Sequence, residues 1–309
     1  MANETTITTV ATLIPDVIEE MAIETAATQK VFRPVLGRPG VTLLDFTGVG
    51  TNLDINQMGT VAFGALTEAT APSNQAYTTT KRTLTPIYLG GTLFVSHQAK
   101  NRAQMDPVAQ IADAVGTAWV DLEDGDDTYG WSGQYADADT SGPDHTIGTD
   151  GVPLNAAIVR QAVQLLMTAK APRPYNLFID PLQWGELLTD TVARDLLKDN
   201  GTQPDGFRAV EGVRMDQFIG KIFGCNIWVV PSGMAESSGL HAMMVADKAL
   251  GMAYEKIATD LSPTLSELNI EADWDGQARG WYVDFTVSMD IGGLVKTASN
   301  NNWMVNIIS

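Results

Sequence analysis

The chain has 309 residues, 44% hydrophobic and 18% charged, with a mean hydropathy of −0.02, a composition that folds around a sizeable core and is not that of a disordered protein. Lys and Arg number 19 against 37 Asp and Glu; the net charge of −18 argues against a general nucleic-acid binder, because phosphate contacts need clustered basic residues. A single cysteine, Cys225, excludes an intrachain disulfide framework and a cysteine-based structural zinc site, and no apolar run approaches the roughly 18–20 residues of a membrane span.

Met1–Ile14 is rich in threonine and reads as a loose arm. Met1 to Val10 holds no Lys or Arg ahead of a short apolar stretch, so no secretory signal is expected and the chain reads as a soluble protein of a reducing cytoplasm. Pro15 suits the first turn of a helix, where its missing N–H costs nothing. Ile14, Val17, Ile18 and Met21 then share one face and Glu19, Glu20 and Glu24 the other, which predicts a helix to about Gln29, broken by Pro34, Gly37, Pro39 and Gly40. From Val41 to Gln98 the texture changes to strand and turn. Val41–Phe46 and Tyr77–Ser96 are rich in strand formers. Thr47–Thr80 holds only eight large apolar residues in 34 positions, Val61, Phe63 and Leu66 among them, which is thin for a segment packed on its own core. A long two-stranded excursion is marginal alone in water, so it is either a floppy lid or completed by a second chain.

Asp106-Pro107 reads as a helix start, a cap followed by proline at the first helical position. Val108, Ile111, Ala112, Val115, Ala118, Trp119 and Leu122 hold helical spacing for four turns, and Gly125 stops the run. Between Arg102 and Arg160 there is no Lys or Arg but there are 11 Asp and Glu. Within that stretch Gly125–Gly151 reads as a long loop, of the kind that is functional or ordered by a partner. The second half alternates helix and strand: a helix over Leu154–Lys170, a strand at Tyr175–Asp180, a short helix at Pro181–Thr189, and buried strands at Ile227–Val230 and Ala242–Ala246, together an α/β sub-domain. After Lys256 the β character returns. Trp281–Met289 alternates, Gly292–Lys296 turns out of it, and Trp303–Ile308 is a last strand. No internal repeat of about 20–50 residues is present.

Motifs that carry chemistry are scarce. His97, His145 and His241 are scattered and read as structural. Gly130-Trp-Ser-Gly133 lacks the Gly-x-Ser-x-Gly spacing of a nucleophile elbow, and no phosphate-cradling loop motif occurs. Asp137-Ala-Asp139-Thr-Ser141-Gly142 matches the first six places of a calcium loop, which makes Asp137, Asp139 and Ser141 candidate ligands. Position 12 is Gly148, however, where a bidentate Glu is required, so a solvated acidic loop is the plainer reading and no cofactor is expected. Cys225, at the entry to a buried strand, reads as core packing; as a nucleophile it would need a nearby His. The acidic surplus reads as solvated surface, or as a like-signed wall that keeps nucleic acid from adhering to a container.

Several stretches, taken in order, carry a family resemblance. Gly59-Thr-Val-Ala-Phe63, Ala65-Leu-Thr-Glu68 and Pro72-Ser73 form one, and Lys81, Leu84, Ile87, Leu89 and Leu93-Phe-Val-Ser96 a second. Met105–Asp127 with Asp126–Gly133, Ile222–Pro231, and Arg279–Asp290 complete the set. They resemble, respectively, the extended loop with its glutamate, the return strand, the spine helix with its Gly-rich turn, the axial strand and the closing peripheral strand of the major capsid protein of tailed bacteriophages. That family shares its fold with encapsulin shells and the herpesvirus capsid floor. The resemblance implies an α+β fold: an N-terminal arm and short helix over 1–40, an extended β-hairpin loop over 41–98, a peripheral domain with the spine helix over 99–150 and 257–309, and an α/β axial domain over 151–256.

In function, the resemblance implies self-assembly into pentamers and hexamers of an icosahedral shell around packaged double-stranded DNA, with no catalysis, sequence-specific DNA binding or membrane. The implied partners are many copies of the chain, a separate scaffolding protein, a portal and a decoration protein. The implied location is the virion, and the host cytoplasm during assembly. Val61, Phe63, Leu66, Glu68, Lys81 and Arg82 are expected at the subunit interface, with the arm and the loop lying on a neighbour. Asp45–Thr80 contains no Lys, so the covalent cross-link that some members form there is not expected. An encapsulin-type nanocompartment shell is the alternative, followed by a cytosolic hydrolase using a carboxylate or Cys225, and an exported surface-layer protein.

Overall fold

Ile7, Val10 and Ile14 lie in phase with the apolar stripe that Val17, Ile18 and Met21 continue, and the first helix accordingly spans Ile7–Gln29 (α1). Pro15 sits inside it and has no N–H to give the Ala11 carbonyl, yet the helix runs through it, so the expected loose arm is helical from Ile7 onward. The computed structural model describes residues 7–48, 50, 52–58, 79–96, 107–135, 143–199, 217–231, 233–234, 240–257, 266–295 and 301–309. Pro34, expected as a breaker, lies in the first turn of a short helix, Phe32–Leu36 (α2), where no N–H is needed.

The long helix is Pro107–Val120 (α3), continued by a π-turn over Asp121–Gly125, so it stops at the predicted glycine; its expected cap, Asp106, lies outside the described residues. Helix α1 crosses α3 at Gly116, where a Cβ would come within 2.8 Å of the Ala22 carbonyl oxygen and 2.9 Å of Thr25 Cβ. Ile18, Ala22 and Ala26 pack with Ala112, Val115 and Trp119 at this crossing, and Thr25 Oγ1 donates to Asp113 Oδ1 at 3.0 Å. Small residues let the two backbones approach. From Ile18 onward the helix that follows the expected arm is therefore packed on its own chain.

One sheet has five strands. Leu43–Asp45 (β1) pairs with Leu250–Glu255 (β10), which pairs with Gly280–Gly293 (β12). Leu268–Asp275 (β11) also pairs with β12, and Ile87–Ser96 (β4) runs along β12 from Gly280↔Ser96 to Met289↔Ile87. Along β12, Val283 and Val287 turn inward to the cluster that holds α1 and α3, while Tyr282 and Asp284 turn out. Leu53–Met58 (β2) and Thr79–Leu84 (β3) form a separate antiparallel pair.

The other sheet has six strands, in the order Pro143–Gly148 (β5), Asn301–Ile308 (β13), His241–Ala246 (β9), Tyr175–Ile179 (β6), Cys225–Val229 (β8) and Phe218–Ile222 (β7). β5 occupies part of the stretch expected to be loop. Ile147 is the buried one among its described side chains, and its parallel backbone pairing with β13 fixes its place. β13, grouped by sequence with the peripheral segment 257–309, lies between β5 and β9 with Met304, Val305 and Ile307 buried, as suits an interior strand. The segment 41–98 likewise gives β1 and β4 to the five-stranded sheet.

Helices Ala156–Thr168 (α4), Pro181–Thr189 (α5) and Thr191–Asp199 (α6) belong to the six-stranded lobe. Asn155 caps α4 by accepting from the Ala157 and Ile158 amides at 3.0 and 3.1 Å. Asp180 accepts from Leu182 N–H at 2.8 Å while its own N–H donates to Gln183 Oε1 at 3.2 Å, a reciprocal cap on α5. Leu166, Leu177, Ile179, Leu187 and Ile227 form the core on the helix side. On the opposite face Phe178, Trp228, Met243 and Val245 meet Phe32 of α2 and Met252, Met289 and Ile291 of the five-stranded sheet. Phe32 stacks on Phe178 at 4.1 Å, so this second core joins the two sheets. No described helix is long and apolar enough to cross a membrane.

Candidate functional site

The β2–β3 ladder is anchored at its base. Leu53 and Ile55 pack on Leu84, Ala253 and Leu294. From Leu53↔Leu84 the ladder runs out to Met58↔Thr79, where the chain enters 59–78. Val61, Phe63, Leu66 and Glu68, expected at an interface, lie outside the described residues. Lys81 and Arg82 are described, and the pleat sends them opposite ways. Lys81 is 59% exposed and pairs with Asp54 at 2.7 Å. Asp54 also accepts from Thr83 Oγ1 at 2.8 Å, and these bonds, the Lys81 bond first, hold its carboxyl below the usual range. Arg82 is buried within its own chain, its guanidinium 3.3 Å from where a Gly292 Cβ would stand. Of the two expected interface cations, Lys81 is exposed and Arg82 is buried.

The outer face of the five-stranded sheet is aromatic and acidic. Phe94 stands directly opposite Tyr282, with ring centroids 4.9 Å apart and both rings exposed. Tyr88, on the same face of β4 and 65% exposed, donates its hydroxyl to Glu255 Oε2 at 3.1 Å. Glu271 faces Asp284 across the β11–β12 ladder, and Asp273 faces Tyr282. Like charges directly opposite one another cost stability. A second aromatic pair, Trp274 and Trp281, lies 5.3 Å apart at the same end of the sheet. Between α3 and the sheet runs a groove of about 280 Å³ lined by Leu89, Trp119, Leu122, Tyr129, Leu268 and Phe285. The α4–α6 layer exposes Met167, Leu182, Leu188 and Val192.

These surfaces offer contact, whereas two of the reactive groups picked out from the sequence, Cys225 and His241, are buried. Cys225 is fully buried, and burial pushes its thiol far up, which keeps it protonated at neutral pH. His241 is buried with Nδ1 3.2 Å from Asn306 Oδ1; His97 lies outside the described residues. So do Asp137, Asp139 and Ser141. Among the described residues no group of three or more His, Cys, Asp or Glu is arranged to hold a metal ion. The sequence reading missed the exposed Phe94–Tyr282 pair. Its signal was an aromatic ring at an outward position of an alternating strand, Tyr282 between Trp281 and Val283.

Residues 77–297 match the phage capsid protein family. The capsid of Ralstonia phage GP4 aligns with a TM-score of 0.61 at 12% identity, covering 91% of this chain and 92% of that one. The head of Helicobacter pylori bacteriophage KHP40 aligns at 0.61 and 11% identity, covering 91% and 90%. The holo-SrpI encapsulin complex from Synechococcus elongatus aligns at 0.55 and 9% identity, covering 87% and 85%. At such identities the likeness shows the fold, which is the tailed-phage capsid fold that the encapsulin also has. No curated protein matches the sequence.

Proposed function

The chain belongs to the phage capsid protein family, and from that premise we propose that it builds pentamers and hexamers of an icosahedral shell that encloses packaged double-stranded DNA. The shell-forming role and a place in the virion capsid follow from membership. The observation that carries the finer reading is the β2–β3 ladder, held at its base by Leu53, Ile55 and Leu84 and standing outside both sheets. A ladder of that kind gains its missing contacts by lying on the next subunit, where backbone pairing fixes register at low sequence cost. The aromatic and acidic outer face of the neighbour's sheet is a surface for it to cover. Interfaces of the obligate class bury roughly 2,000 Å² or more, and closed symmetry repeats each one many times over.

In this reading the six-stranded lobe meets its copies at the capsomer centre and the five-stranded lobe meets them around local threefolds. The net charge of −18 keeps the inner wall from binding DNA. Scaffolding, portal and decoration proteins are separate partners, assembly takes place in the host cytoplasm, and no step is catalytic. Electron microscopy of the purified protein tests the reading: closed particles are expected from the full chain, and folded, unassembled subunits after deletion of residues 60–80. Normal particles from the deletion would refute the role given to the ladder. Because the SrpI encapsulin shares the fold, a cargo compartment is the second reading; nuclease-protected DNA inside particles decides for the first, and an enclosed enzyme for the second.

A further inference from the structure

Where α1 ends, α2 begins and the spine helix passes into its π-turn, five charged side chains converge. The Lys30 ammonium pairs with Glu123 Oε2 and lies 3.2 Å from the centroid of the Trp119 ring. Arg33 reaches the same oxygen at 3.7 Å, pairs with Glu267 ahead of β11, and lies 5.3 Å from the Tyr254 ring of β10. Asp124, fully buried beside Glu123, makes no ion pair among the described residues; its Oδ2 accepts from the Val31 N–H at 2.7 Å. Asp124 Oδ1 and Glu123 Oε1 are both buried without a hydrogen-bond partner. Three carboxylates thus face two cations, with Glu123 and Asp124 fully buried and Lys30 nearly so. A buried charge left without a counter-ion is costly, and a proton is the smallest group that removes it.

We propose that Asp124 is a proton-operated latch: with a proton on Oδ1 the arm helix is held on the spine helix, and loss of that proton as pH rises loosens the joint. Burial, and then repulsion by Glu123, pushes the Asp124 carboxyl up to about 7, against the Val31 amide, Lys30 and the Phe32 amide, which favour its charged form. Burial also works to raise Glu123, but Lys30 and Arg33 outweigh it and hold that carboxyl below the usual range, so Glu123 stays charged. Burial lowers Lys30, chiefly offset by Glu123. Tyr254 is raised, first by burial and then by Glu267, and stays neutral. On the same turn Asp121 is exposed, and Asp126 Oδ1 is occupied by the Thr128 and Tyr129 amides at 2.8 and 2.7 Å. A carboxyl raised in the native state binds its proton more tightly there than in the open chain. Its contribution is therefore complete at low pH and is lost as pH climbs through about 7.

Hydrogen exchange of the Val31 and Phe32 amides in the full chain, corrected for intrinsic rates, reads the latch. Wild-type protection is expected to fall about tenfold between pH 6 and pH 8. Asp124→Asn keeps an acceptor for Val31 and needs no proton, so its protection should be equal at the two pH values. A flat wild-type profile, or the same fall in the variant, overturns the proposal. If the variant misfolds, infrared spectroscopy of the wild type decides: a protonated-carboxyl band present at pH 6 and gone by pH 8 supports the latch, and no such band refutes it. Because the readout belongs to the single subunit, failure here leaves the shell-forming role standing.

Discussion

Strands β6 and β2 are of similar length and have opposite surroundings. Every residue of β6 is buried, with Leu177 and Ile179 facing one core and Phe178 the other. β2 pairs with one strand, and none of its described side chains is fully buried. The six-stranded lobe buries its central strands within one chain, while the ladder and the outer face of the five-stranded sheet keep their side chains exposed or half-buried. A shell subunit needs both, a part that folds alone and a part that has contacts left to make.

Substitutions can break that contrast. The largest effect on the subunit is expected from Phe178→Ala, which empties the contact between α2 and the sheet; denaturant unfolding should show a loss of about 3–5 kcal/mol. Asn176→Ala removes the acceptor shared by Asn226 Nδ2 at 3.1 Å and Trp228 Nε1 at 3.2 Å, with an expected loss of about 1–3 kcal/mol by the same measurement. The pair Phe94→Ser and Tyr282→Ser should change subunit stability by only about 1 kcal/mol while sharply lowering particle yield in sedimentation. Unchanged yield would remove the outer face from the list of contacts. Lys81→Ala should leave the melting temperature unchanged within error, because its pair with Asp54 is solvated.

The sequence made some of this legible and hid the rest for identifiable reasons. Asp180, Pro181 and Gln183 announce α5, because a cap is a local bond, and the helix begins and ends where predicted. The apolar spacing from Val108 to Leu122 announces the spine helix in the same way. β5 was hidden: Asp144, His145 and Thr146 carry no strand pattern, and only β13, more than 150 residues further on, gives the segment its ladder. The burial of Arg82 was hidden because a cation in a thin, polar excursion reads as surface, whereas the pleat turns it onto Gly292. Pro15 misled because a proline signals a start more often than it is overridden by an unbroken apolar phase.

By itself, then, the sequence determined which segments are helix and strand wherever the deciding interactions lie within a turn or two, and it set the acidic, cysteine-poor character of the chain. Only the tertiary structure decided which strands share a sheet, which side of each is left bare, and that Lys30 meets Glu123 across 93 residues. The reason is physical. Capping and periodicity act over a few ångströms of contiguous backbone, whereas burial and charge pairing depend on what the rest of the fold brings to the same place.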